Sequence, residues 1–143
     1  MGIFDFVKSA GKKLGFGDDE APTAEALKDE IDSYKIGSEE VTVEVEGDKA
    51  IIKGNVNDQT ALEKIIIAAG NVTGISRVET QLAAAEEREP VLHTVAKGDT
   101  LWKIAETQYG NGSKYTTIFE ANKPMLSDPN KIYPGQVLRI PEA

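Results

Sequence analysis

Val41-Thr42-Val43-Glu44-Val45-Glu46-Gly47-Asp48-Lys49-Ala50-Ile51-Ile52-Lys53-Gly54 is the stretch on which the fold turns. Val41, Val43 and Val45 alternate with polar residues, the period of a half-buried strand. Gly47-Asp48 makes a tight turn, and Ala50 to Gly54 returns as the partner strand. Downstream, Asn57 or Asp58 is placed to cap a helix. Leu62, Ile65, Ile66 and Ala69 give that helix an i, i+3, i+4, i+7 face, and Gly70 breaks it. A strand follows over Arg77 to Leu82, with Val78, Thr80 and Leu82 on one side. Upstream, residues 22–36 read as a helix. Pro22 suits its first position, Leu27, Ile31 and Tyr34 share a face, and Gly37 ends it. The order is α-β-β-α-β. Residues 1–14 are expected to add an N-terminal helix, because Ile3, Phe6, Val7, Ala10 and Leu14 recur at helical spacing. Gly11 or Gly15 would stop it, and residues 15–19 read as loop.

Residues 22–83 form one unit on this reading. Residues 84–90, rich in alanine and charge and ending at Pro90, form a linker. A second unit occupies residues 91–143. It opens with a strand, Val91 to Val95. Asp99 or Thr100 caps a helix carrying Leu101, Ile104 and Ala105. Ser113 caps another, carrying Tyr115, Ile118, Phe119 and Asn122, which Pro124 stops. Val137 to Ile140 closes as a strand after Tyr133-Pro134-Gly135-Gln136. The order is β-α-α-β. The fold class is α+β, as two small domains, each of a size that buries only ~60% of its unfolded surface.

The formal net charge is −8. It is uneven: residues 1–85 hold 9 basic and 16 acidic residues, a net of −7, and the remainder 7 and 8, a net of −1. Such a balance favours cations around the first half and argues against nucleic acid or an anionic membrane as partner. There is no cysteine, and the single histidine, His93, makes no zinc centre alone; it reads as a strand residue. Asp5 and Lys8 interrupt any signal-peptide core, and no stretch approaches 18 apolar residues, so a cytoplasmic protein is expected. No Ser-His-Asp set, HExxH, Walker loop or dinucleotide fingerprint occurs, which argues against an enzyme.

A large, weakly hydrated cation such as K⁺ is served by neutral carbonyl oxygens, whereas carboxylate clusters suit Ca²⁺. No EF-hand-type run is present. Helix C-termini carry carbonyls without intrahelical partners at the negative end of the dipole. Gly70-Asn71-Val72-Thr73-Gly74-Ile75 sits at such an end. Its glycines and asparagine permit positive φ, which would turn carbonyls inward together. Pattern alone favours the plainer reading, an ordinary glycine cap leading into a strand.

Val95, Gly98-Asp99-Thr100-Leu101, Ile104-Ala105, Asn122 and Pro134 to Pro141 resemble the LysM family from end to end. Val43, Gly47, Ile52, Gly54, Val56, the Gly70–Ile75 run and Val78 resemble the BON family, with a weaker pattern. Together with residues 4–11, 119–126 and 128–136, nearly the whole chain resembles the bacterial potassium-binding BON–LysM proteins. Residues 15–22 and the linker depart from that pattern. The resemblance implies a cytoplasmic protein that binds K⁺ and changes conformation on doing so; a monomer with a part in the osmotic stress response is expected. It implies the main-chain carbonyls of Val7, Ala10, Gly70, Val72 and Ile75 as ligands, and contact between BON and LysM. It also carries an alternative. LysM domains bind N-acetylglucosamine polymers beside the motif that is here Gly98, Asp99, Thr100 and Leu101, with Trp102 and Tyr133 placed to stack on sugar.

Overall fold

The computed structural model describes residues 2–12, 21–83 and 90–142. The chain divides into two compact units, residues 1–89 and 90–143. In the first, β1 (Gly2–Asp5), α1 (Ala24–Ser33), β2 (Val41–Glu46), β3 (Lys49–Asn55), α2 (Gln59–Gly70) and β4 (Arg77–Ala83) follow in order. The four strands form one sheet in the order β1-β4-β3-β2. β2 and β3 are the expected antiparallel hairpin, with Val43 opposite Ile52. β3 and β4 run parallel, with α2 as their crossover.

The α-β-β-α-β order is thus observed, but the helix expected over residues 1–14 is not. Gly2–Asp5 is a strand, antiparallel to β4 with Phe4 opposite Val78. The competing force is the open edge of β4. β3 covers one side of β4, and the other side would otherwise leave a row of backbone donors and acceptors unpaired. A four-residue strand satisfies them, whereas a short helix gains little in isolation. The apolar spacing is accordingly not one face: Phe6 is 8% exposed, while Ile3 is 60% exposed. Residues 13–20 and 84–89, including most of the expected linker, lie outside the described residues.

Both helices pack with the sheet around one core. α1 is shorter than expected. Its cap is Thr23, whose Oγ1 accepts from the Ala26 N–H at 3.1 Å, so Pro22 precedes the cap instead of opening the helix. Leu27 and Ile31 are fully buried, as are Ala50, Ile52, Ile65, Ile66 and Val78. Each such aliphatic side chain contributes about 1.5–3 kcal/mol. Asp58 caps α2, accepting from the Ala61 N–H at 2.8 Å.

In the second unit, β5 (Leu92–Thr94) pairs antiparallel with β6 (Val137–Arg139). Between them lie α3 (Leu101–Tyr109), a 3₁₀ turn (Gly112–Lys114) and α4 (Tyr115–Ala121). Thr100 caps α3, as expected. Ser113 does not cap α4. It sits inside the 3₁₀ turn, where its N–H and hydroxyl both donate to Asn111 Oδ1. Val95, Leu101, Ile104, Ala105, Ile118 and Leu138 form most of the core. Asn122 is fully buried and joins α4 to β6. Its Nδ2 donates to the carbonyls of Ile118 (2.7 Å) and Arg139 (3.0 Å), and its Oδ1 accepts from the Arg139 N–H at 2.8 Å.

Candidate functional site

The segment after β1 lies along the loop that follows α2. Phe6 N–H donates to Ser76 O (2.9 Å), Gly74 N–H to Lys8 O (2.8 Å), Thr73 N–H to Lys12 O (2.8 Å) and Lys12 N–H to Asn71 O (3.0 Å). Residues 6–12 and 71–76 are therefore laced together, with a parallel bridge at Lys12 and Val72. Phe6 closes the end of α2. A Cβ on Gly70 would lie 2.1 Å from Phe6 Cζ, so the ring occupies the space a side chain there would need. The positive φ belongs to Gly74 (+98°) and Gly11 (+98°), not to Gly70. A Cβ on Gly11 would lie 2.5 Å from the Asn71 carbonyl carbon, so backbone touches backbone there.

Val7, Ala10, Val72 and Ile75, four of the five residues expected to present carbonyls, fall in these two facing segments, and Gly70 is the last residue of α2, immediately before the second. Their carbonyls differ in occupation. Val7 O accepts from Ala10 N–H and Val72 O from Ile75 N–H, both turn bonds of 3.1 Å. Each carbonyl keeps a second lone pair. Ala10 O lies 3.5 Å from Thr73 Oγ1. Among the described residues, no hydrogen bond ends on the carbonyl of Gly70 or Ile75, although Gly70 and Ile75 are both buried. The reason is specific. The N–H groups of Thr73 and Gly74, placed three and four residues beyond Gly70 to fold back and cap α2, donate instead to Lys12 and Lys8. The N-terminal segment takes the capping donors and leaves the helix-end oxygen bare. A neutral, oxygen-only donor set of this kind suits an alkali cation. Among the described residues no group of three His, Cys, Asp or Glu side chains assembles for a harder or softer ion.

Two side-chain ties hold the surroundings. Lys12 Nζ pairs with Glu30 Oε2 at 3.0 Å, and Tyr34 Oη donates to the same oxygen at 2.6 Å. Ser76 Oγ donates to Asp48 Oδ2 at 2.6 Å, which holds the Asp48 carboxyl below its ordinary pKa and joins the hairpin turn to the loop.

The second unit carries a groove of about 440 Å³. Asp99, Thr100 and Leu101 line it, but Gly98 and Tyr133 do not. Trp102, 52% exposed, flanks it with Tyr115, their ring centroids 6.1 Å apart. Gly112 underlies the indole: a Cβ there would fall 2.3 Å from Trp102 Nε1. Sequence reasoning named Trp102 and missed Tyr115, Asn130 and Ile132, which α4 and the following loop bring in from the other side. The Asp99 carboxylate accepts from Ala96 N–H (2.9 Å) and faces His93 Nε2 (3.1 Å), which together hold its pKa down.

Comparison with known proteins places both units. The BON domain model matches residues 19–86 and the LysM domain model residues 93–141. Potassium binding protein Kbp of Escherichia coli O6:H1 is 43% identical, over 99% of each chain. The chain belongs to the Kbp family. Other relatives share less with this Kbp-family chain. An uncharacterized protein of Deinococcus radiodurans is 34% identical over 66% of this chain and 42% of its own length. Resuscitation-promoting factor Rpf of Micrococcus luteus is 43% identical over 34% of this chain and 22% of its own. Among the described residues, no helix is long and apolar enough to cross a membrane.

Proposed function

We propose that this chain is a non-enzymatic, cytoplasmic potassium-binding protein, serving as a K⁺ sensor or buffer. The main-chain carbonyls of Val7, Ala10, Gly70, Val72 and Ile75 hold the ion. Binding stabilises a compact BON–LysM arrangement in a monomer. The observation that carries this reading is the end of α2, where donors that would cap the helix are diverted and the carbonyls of the buried residues Gly70 and Ile75 are left without one among the described residues. The excess of acid over residues 1–85 adds a field that favours a cation. The full-length relative from Escherichia coli is named for potassium binding. Bound there, K⁺ would supply a positive charge that attracts the partly negative carbonyl oxygens of the two laced segments and holds them together.

Removal of residues 1–14 is not a clean test, because it also strips β1 and the buried Phe6. The direct measurement is the carbonyl ¹³C shift of the five residues during titration with KCl against NaCl at equal ionic strength. Selective movement of those five in KCl is expected. Five unmoved carbonyls at saturating KCl would end the assignment.

A second reading, glycan binding through LysM, is favoured by one observation: Trp102 stands half exposed beside a groove of about 440 Å³ lined by Asp99, Thr100 and Leu101. Quenching or enhancement of Trp102 fluorescence by chitin oligomers, with no response to KCl, would make it the better account.

A further inference from the structure

Thr73 reaches across to the N-terminal segment twice. Its N–H donates to Lys12 O at 2.8 Å, and its hydroxyl donates to Gly11 O at 2.9 Å. The residue is 3% exposed, so no water competes freely for that hydroxyl. The peptide between Gly11 and Lys12 is thereby pinned at both ends: its oxygen by Thr73 Oγ1, its N–H by Asn71 O at 3.0 Å. Gly11 needs such a pin. With φ at +98° and no Cβ, it allows the preceding peptide, which carries Ala10 O, to rotate at little steric cost. The hydroxyl has one proton. It gives that proton to Gly11 O at 2.9 Å and leaves Ala10 O, at 3.5 Å, largely unclaimed.

From this we infer that Thr73 is a positioning residue of the cation site: its hydroxyl fixes the Gly11 peptide and so aims the Ala10 carbonyl at the ion. The inference rests on the carbonyl-site reading above. It assigns to a side chain a part in a site otherwise built of backbone. Removing the hydroxyl frees a glycine hinge, so the ion must order that hinge on binding, and affinity falls.

The test uses the full chain and calorimetric titration with KCl in a NaCl background. Thr73→Val keeps the shape and removes the donor, and is expected to raise the Kd for K⁺ about tenfold. Thr73→Ser keeps the donor and is expected to bind within about twofold of the parent. Wild-type affinity in Thr73→Val overturns the inference while leaving the site intact. Absence of K⁺-specific heat in the parent chain overturns the site itself, and the inference with it. A readout in the unmodified chain covers the case in which Thr73→Val does not fold. The Gly11 carbonyl and Thr73 β-carbon ¹³C resonances are expected to shift with KCl and not with NaCl. Resonances that stay fixed while K⁺ binds would count against a role for the hydroxyl.

Discussion

A glycine at the last position of a helix normally signals a backbone that must turn left-handed. Gly70 does not, because its φ is helical and the requirement comes from the Phe6 ring seated where a Cβ would stand. Gly70→Ala should therefore cost about 1–3 kcal/mol of stability by overpacking, and Phe6→Ala about 3–5 kcal/mol by leaving a cavity. The two should not add. With the ring gone, alanine at 70 has space, so the double variant should melt close to Phe6→Ala alone; additive losses in urea would show that the contact is not the cause. Asp99 offers a second residue-level test. The Ala96 N–H, followed by His93, holds its carboxyl below the ordinary 3.8. Folding thus disfavours its protonation. The stabilisation is complete above that value and is lost as pH falls through Asp99's own lower pKa. Asp99→Asn should melt lower than the parent at pH 7, and the gap should narrow at pH 3. An equal gap at both values would remove the carboxylate from the explanation.

Local pattern identified elements wherever one period had one meaning. Val41, Val43 and Val45 alternate because one face of β2 is buried, and the turn at Gly47-Asp48 fixes the partner register. The cap at Asp58 and the end of α2 were legible for the same local reason. Residues 2–5 were not, since what decides them is the bare edge of β4, more than seventy residues away in the chain. The candidate site shows the same division. Gly70-Asn71-Val72-Thr73-Gly74-Ile75 stood out as a run rich in turn formers. That Thr73 and Gly74 donate to Lys12 and Lys8 depends on the strand the pattern concealed. The groove beside Trp102 was half legible for a parallel reason, its near wall being a contiguous motif and its far wall arriving from α4. The element carries its own prediction. Deleting residues 1–5 should unpair β4 along Val78 and Thr80, speed hydrogen exchange at its newly exposed amides, and promote edge-to-edge association visible by light scattering. Unchanged exchange along β4 would mean that β1 contributes nothing to the sheet.

At the scale of the molecule, a chain of net charge −8 is stabilised by KCl and NaCl alike through screening, which relieves its self-repulsion. A rise in melting temperature with KCl alone therefore says nothing about a site. The informative quantity is the difference between KCl and NaCl at one ionic strength, where screening cancels and only an oxygen cage with a size preference remains. Ligand binding to the native state alone stabilises by ~2.7 kcal/mol at one hundred times Kd. In a unit of this size that is a rise of roughly 10 °C or more. The two units also need not respond together. An ion held between residues 6–12 and 70–76 acts first on the unit that contains them, so its melting transition should move with KCl. Any parallel movement of Trp102 fluorescence, which reports on the other unit, measures how strongly the two are coupled. Identical melting in the two salts at every concentration would leave the diverted capping donors of α2 as a way of packing a strand against a helix end, with no ion involved.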